Sequence, residues 1–287
     1  MILVMFTCFQ IELNKAFRNG WFVVALVIGC AFGLGCAALY AIPSVFSTFV
    51  PNPDKFYHPT SQSCFNAWIS VDTTSWALLF YQVLPLLCVI PYAWSFASER
   101  KDGYISHAYT RIGRGEYFFA KYVSVFLSAG AVAVLPQVLN LVMLACFFPG
   151  YVPSIQDANY YAPVFWQSIG SILFYNAPLA YVALYMLIDF LLCGAWAGLV
   201  LALSLVVRNR VILLTAPYLA LLAVQFVNEN IFFAIGKVRG FQLSLFENLH
   251  GSCSMYIQNG WIVVGEIVTL FFVAGLFWVF WGKRDAL

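Results

Sequence analysis

The chain has 287 residues, of which 63% are hydrophobic and 9% charged, with a formal net charge of +2 at pH 7. A water-soluble domain carries about 25% charged residues, because its surface must be solvated. Composition therefore excludes a soluble globular enzyme and sets most of the perimeter against lipid. The net charge by itself is uninformative about partners, and no nucleic-acid partner is expected.

Residues 1–20 put Phe6, Phe9, Leu13 and Phe17 on one helical face and turn Glu12, Lys15 and Arg18 elsewhere. That pattern reads as a helix lying along the inner leaflet, or equally as the frayed start of a first span. The opening "MILVMFTCFQ" lacks the basic start and small-residue cleavage site of a signal peptide, so the first membrane segment is expected to be retained.

A bilayer core about 30 Å thick needs roughly 20 apolar residues in helical form. Six stretches meet or approach this, at about 21–42, 76–97, 123–148, 178–207, 211–227 and 261–281. Trp21, Trp76, Trp261 and Trp281 stand at their boundaries, where an amphipathic ring suits the headgroup level. The expected fold class is an all-α integral membrane protein, a single transmembrane domain of six helices over residues 1–287.

With both ends on one side, that side receives Lys15, Arg18, Arg100, Lys101, Arg111, Arg114, Lys121, Arg208, Arg210, Lys283 and Arg284. The other side receives Lys55, Lys237 and Arg239. This bias predicts cytoplasmic termini in a multi-pass protein of the cell membrane. Three outer loops then span 43–75, 149–177 and 228–260. The stretches "PVFWQSIGSILFYNAP" and "NENIFFAIGKVRGFQLSLFENLHG" are apolar enough for short surface helices, and the inner loop "VVRNRV" forces a tight hairpin.

Charge concentrates in one window, "SERKDGYISHAYTRIGRGEYFFAKY", residues 98–122. From Gly103, the residues Tyr104, Ile105, Ala108, Tyr109 and Ile112 fall on one helical face. Asp102 near the start and Arg111 near the end complement a helix dipole. Such a helix fits a groove on a cytoplasmic partner. The alternative is a loop charged because it is cytosolic, its apolar face resting on lipid.

Two carboxylates lie within apolar runs. Asp189 reads either as a polar lining of a substrate route or as an interhelical hydrogen bond to Asn140 or Gln137. Glu266, near the end of its span, reads as a solvated interfacial group. Pro85, Pro91, Pro136 and Pro217 can kink spans. GxxxG occurs at Gly29–Gly33 and Gly194–Gly198, and such spacing lets helix backbones approach closely, most often within one chain. Eight cysteines show no CxxC pairing or metal spacing, and no metal site is expected. Cys64 and Cys253, in outer loops, are candidates for a disulfide. The histidines, His58, His107 and His250, all fall in loops, which excludes an intramembrane His-based metal site or Ser–His protease. No GxxxxGK[ST] phosphate loop occurs, so no catalytic residue is expected.

The stretch "SFASERKDGYISHAYTRIGRGEYFFAKYVSVFLSAG" resembles the first inner loop of type-2 ATP-binding-cassette (ABC) transporter permeases, the membrane subunits of bacterial exporters. In that family an acidic residue and a glycine leave the second span, a coupling helix follows, and an Arg, an aromatic pair and a Lys enter the third. Glu99, Gly103, Arg114, Tyr117, Phe118 and Lys121 match those positions. "APLAYVALYMLIDFLLCGAWAGLVLALSLVVRNRVILLTAPYLALL" is similar to the family's fourth and fifth spans. Ile112-Gly113 departs from relatives that carry a proline or serine before the Arg. The resemblance implies a cytoplasmic coupling loop over 98–116 that docks ABC ATPase subunits, two per complex, which bind ATP and Mg. It also implies a second copy or related permease, with Gly29 and Gly33 as a possible dimer contact, and an amphipathic substrate: peptide, lipid-linked molecule or drug. The alternatives are a six-span substrate-capture component of an importer, or a non-transporting membrane scaffold or immunity protein.

Overall fold

The computed structural model describes residues 2–46, 63–110, 112–154, 164–232, 241–252 and 257–282. Among these residues the chain is all-helical, and its one β feature is an isolated bridge between Phe241 and Ile257. Five helices are long and apolar enough to cross a membrane: α2 (Gly20–Phe46), α6 (Arg114–Phe147), α8 (Pro178–Leu203), α9 (Arg210–Phe226) and α11 (Gly260–Trp281). The chain is thus a multi-pass membrane protein by the length and composition of its helices. A π-helical turn, Val227–Phe232, carries α9 onward.

The stretch expected as a second span is not one helix. It forms α3 (Ser75–Val89), a turn, and α4 (Ser95–Lys101). Pro91 supplies no N–H to the ladder and breaks it. Two carbonyls freed at the break find donors: Trp94 Nε1 donates to Ile90 O at 2.8 Å, and Asn19 Nδ2 to Pro91 O at 2.8 Å. At 15 residues α3 is about 22 Å long, short of a bilayer core.

The N-terminal stretch folds as α1 (Ile2–Phe17). The third apolar run starts earlier than hydropathy suggested, so Arg114, Glu116 and Lys121 belong to α6 and not to a loop. The charged window is therefore α4, a short α5 (Tyr104–Tyr109) and the first turns of α6. Outside the bundle, α7 (Ser171–Asn176) and α10 (Leu245–Leu249) are the short helices expected in the outer stretches.

Helix α6 is the axis of the bundle, packed by α1, α2, α3 and α8. Its seams with α2 and α8 are glycine seams. A Cβ on Gly29 would stand 2.8 Å from the Pro136 side chain, and one on Gly33 2.8 Å from the Pro136 carbonyl oxygen. Phe126 and Tyr122 of α6 lie against Gly194 and Gly198 of α8, and Phe190 of α8 against Gly130 of α6. Gly29 and Gly33 are therefore buried within the chain, which corrects the dimer-contact expectation in favour of intrachain packing. By contrast α9 and α11 are mostly exposed, and what they expose is apolar, including Leu219, Phe226, Val268 and Phe272.

Residues 63–72, in the stretch expected as an outer loop, are irregular but largely buried. Trp68 and Ile69 have no exposed surface. Trp68 Nε1 donates to Gln137 O at 3.3 Å and Ile69 N to Asn140 Oδ1 at 2.9 Å, so the segment is tied to the C-terminal third of α6. The 241–252 segment covers it: Gly251 N donates to Ser70 O at 2.7 Å, and His250 Nε2 stands 2.9 Å from Asp72 O.

Candidate functional site

The site is built where α1, α4, α5 and the start of α6 meet. Helix α4 ends at Lys101, and Gly103, at φ 73°, takes the left-handed conformation that reverses the chain into α5. A side chain at Gly103 would strain this turn. Ile105, 1% exposed, anchors α5, while Ala108, Tyr109 and Ile112 pack against the core. Tyr109 meets the Tyr117 ring edge-on at 5.9 Å, and the Arg114 guanidinium lies 5.4 Å from its centroid. The apolar face read as a partner surface is thus largely used within the chain. What α5 presents outward is Tyr104, Ser106, His107 and Thr110. Asp102 is exposed beside the hairpin, and Arg111 lies outside the described residues.

Under α5 lies a buried charge cluster. Lys121, fully buried on α6, places Nζ 2.8 Å from Glu12 Oε2 and 2.6 Å from Glu99 Oε2. Lys15 closes the ring, 3.0 Å from Glu12 Oε1 and 3.2 Å from Glu99 Oε1. Tyr92 OH donates to Glu12 at 2.8 Å, Tyr117 OH donates to Glu99, and Lys15 Nζ stands 4.4 Å from the Tyr104 ring centroid. Two acids against two cations leave no net charge. Burial opposes ionisation of Glu12, but Lys121 and Lys15 outweigh it and hold the carboxyl below its ordinary value. Burial likewise disfavours charge on Lys15, and Glu12 and Glu99 overcome that and raise it.

Glu99, expected as a docking residue, is turned inward as part of this lock. Its side chain is 16% exposed. Helix α1 has the two faces expected of it: Phe6 and Phe17 of the aromatic face are exposed, while Cys8, Glu12 and Ala16 meet the protein. A groove of 540 Å³ runs between α1 and α5, bounded by Ile11, Tyr104, His107 and Tyr117.

Sequence reasoning matched Lys121 to a family position but did not pair it with Glu12. The available signal was a lysine inside "YFFAKYVSVFLS" and a lone acid in "MILVMFTCFQIELNKAF". A charge in an apolar helix requires a counter-charge.

The intramembrane acids are elsewhere. Asp189 and Gln137 have no exposed surface, and Gln137 Nε2 donates to Asp189 Oδ2 and, at 3.2 Å, to Ala133 O. Of the two readings of Asp189, the α6–α8 hydrogen bond is the one seen. Asn140 serves a different seam, donating to Gly33 O at 2.8 Å. Glu266, expected to be solvated, accepts from Asn248 Nδ2 of α10 at 3.0 Å. Cys64 is a buried free thiol, and Cys253 lies outside the described residues. Among the described residues no His/Cys/Asp/Glu group has metal-binding geometry. Replacing Asp189 with Leu removes the acceptor from a buried amide, whereas Asn keeps one. Thermal unfolding in detergent should show Asp189→Leu less stable than Asp189→Asn by about 1–3 kcal/mol.

Comparison with known proteins yields no relative: no protein-family model, no curated protein and no solved structure matches the chain.

Proposed function

We propose that the chain is the membrane-spanning permease subunit of a type-2 ABC exporter in the cell membrane, with cytoplasmic termini and the broken α3–α4 segment completing six crossings. It pairs with a second permease and docks two ATPase subunits, which bind ATP and Mg and drive an amphipathic substrate outward. The observation that carries this reading is the outward face of α5, Tyr104, Ser106, His107 and Thr110, mounted on a charge-locked base. A short exposed helix whose foot is pinned to α1, α4 and α6 passes force into the bundle. A flexible loop does not.

The test is to co-express the chain with an ATPase subunit, purify the pair and reconstitute it. Tyr104→Glu with His107→Glu is expected to abolish stoichiometric co-purification or to leave ATP hydrolysis uncoupled from transport, with thermal stability unchanged. Undiminished coupling in that variant sinks the docking assignment. A lone chain that binds a small vitamin-like ligand would favour the importer-capture alternative.

A further inference from the structure

A second concentration of charge lies beside the hairpin, apart from the outward face of α5 that carries the docking reading. The C-terminal end of α4 carries Arg100 and Lys101, and the short turn from α8 into α9 carries Arg208 and Arg210. Two arginines clasp these elements in opposite directions. Arg100 Nη1 donates to Leu205 O at 2.9 Å, and Arg210 Nη2 donates to Ser98 Oγ while its guanidinium lies 4.8 Å from the Trp94 ring centroid. Ser98 and Lys101 are three residues apart on α4 and so share a face, which brings Lys101 toward the point where Arg210 lands.

Among the described residues the acid bonded at this locus is Asp102, which accepts from Ser98 Oγ at 3.4 Å. Every salt bridge among the described residues belongs to the Glu12–Glu99 cluster, so Lys101, Arg208 and Arg210 have no carboxylate partner there. All three are exposed. Next to them in sequence exposed apolar residues begin, Val206 in the turn and Val211 and Ile212 in the first turn of α9.

We infer that this junction between α4 and the α8–α9 turn is a binding site for the headgroup of an anionic phospholipid. The cations take the phosphate, and the adjoining valine and isoleucine side chains lie along the acyl chains. Four cations against one acid select negative charge. The exposed apolar residues next to them select an amphiphile over a free anion, since a soluble phosphate gains nothing from them. The mutual clasp of Arg100 and Arg210 fixes the site before the lipid arrives, which lowers the ordering cost of binding. The inference rests on the membrane placement of α8 and α9 and not on ATPase docking.

The test measures melting of the purified chain in micelles of phosphatidylcholine alone and with phosphatidylglycerol added, with bound lipid counted by native mass spectrometry. Phosphatidylglycerol should raise the melting temperature and co-purify. Lys101→Gln with Arg208→Gln, neither of which contacts the clasp, should melt normally in phosphatidylcholine. That variant should lose affinity for phosphatidylglycerol by roughly fivefold per charge removed. Equal stabilisation by the two lipids, or an undiminished shift in the variant, overturns the assignment. Inorganic phosphate reproducing the whole shift would overturn the lipid in favour of a free anion.

Discussion

Replacing Lys121 with methionine is expected to cost roughly 3–5 kcal/mol, the largest effect of any single substitution considered, because it leaves the buried Glu12 and the largely buried Glu99 sharing the single, half-buried Lys15. Globular proteins hold about 5–15 kcal/mol of net stability, so a loss of this size should be plain as poor yield and a collapsed melting transition in detergent. The cost comes from uncompensated charge and not from lost volume, since methionine fills much of the space lysine leaves. Neutralising the acids in the same chain, as Lys121→Met with Glu12→Gln and Glu99→Gln, should therefore recover most of the loss, a non-additivity that a mutant cycle measures. If Lys121→Met melts like the parent, the cluster does not hold α1 and α4 to α6.

The same cluster sets a pH window. The Glu12 carboxyl is held below its ordinary 4.5, so its contribution is complete above that value and is lost as pH falls through the lower folded one. Lys15 is raised above its ordinary 10.5, so its contribution is complete below that value and disappears as pH rises through the higher folded one. Between these limits the junction should be insensitive to pH.

Gly33→Val is expected to destabilise the chain by about 3 kcal/mol, the upper end of the overpacking range. The obstacle opposite Gly33 is the Pro136 carbonyl, which is backbone and has no rotamer to change, so α2 must move off α6. Moving it also pulls the Gly33 carbonyl away from Asn140, whose amide loses its partner in a buried setting. The experiment separates the two readings of the motif. Packing within one chain predicts a lower melting temperature of the isolated subunit, whereas a contact between copies predicts a normal melt and a changed oligomer on sizing. A normal melt would refute the intrachain seam.

The positions of the long helices were legible in the sequence, since twenty apolar residues have few other destinations, and α11 matches its hydropathy run to within a residue. Where averaging over a window hides a single residue, the reading failed. Pro91 sits in an oily stretch and splits it, a break made tolerable by Asn19 and Trp94 donating to the freed carbonyls. Residues 63–72 are loop as expected, but their burial is invisible in the sequence, since Trp68 and Ile69 are held by hydrogen bonds to Gln137 and Asn140 of a distant helix. The charge cluster was half visible. Glu99 and Lys121 stood out by type, but their partnership with Glu12 depends on which way α1 rolls. Hydrophobic periodicity gives the existence of two faces and not which of them meets protein. The partner of Gly29–Gly33 is equally invisible to spacing, because a glycine pair admits a close neighbour without specifying one.

Helix α6 runs continuously for 34 residues, about 51 Å, with Lys121 and its acids near one end and Trp68 and Ile69 bonded to its last third. Residues 63–72 are bonded to this same helix at Gln137 and Asn140, so on the proposed permease reading a displacement at the α5 foot would reach that segment along one continuous helix.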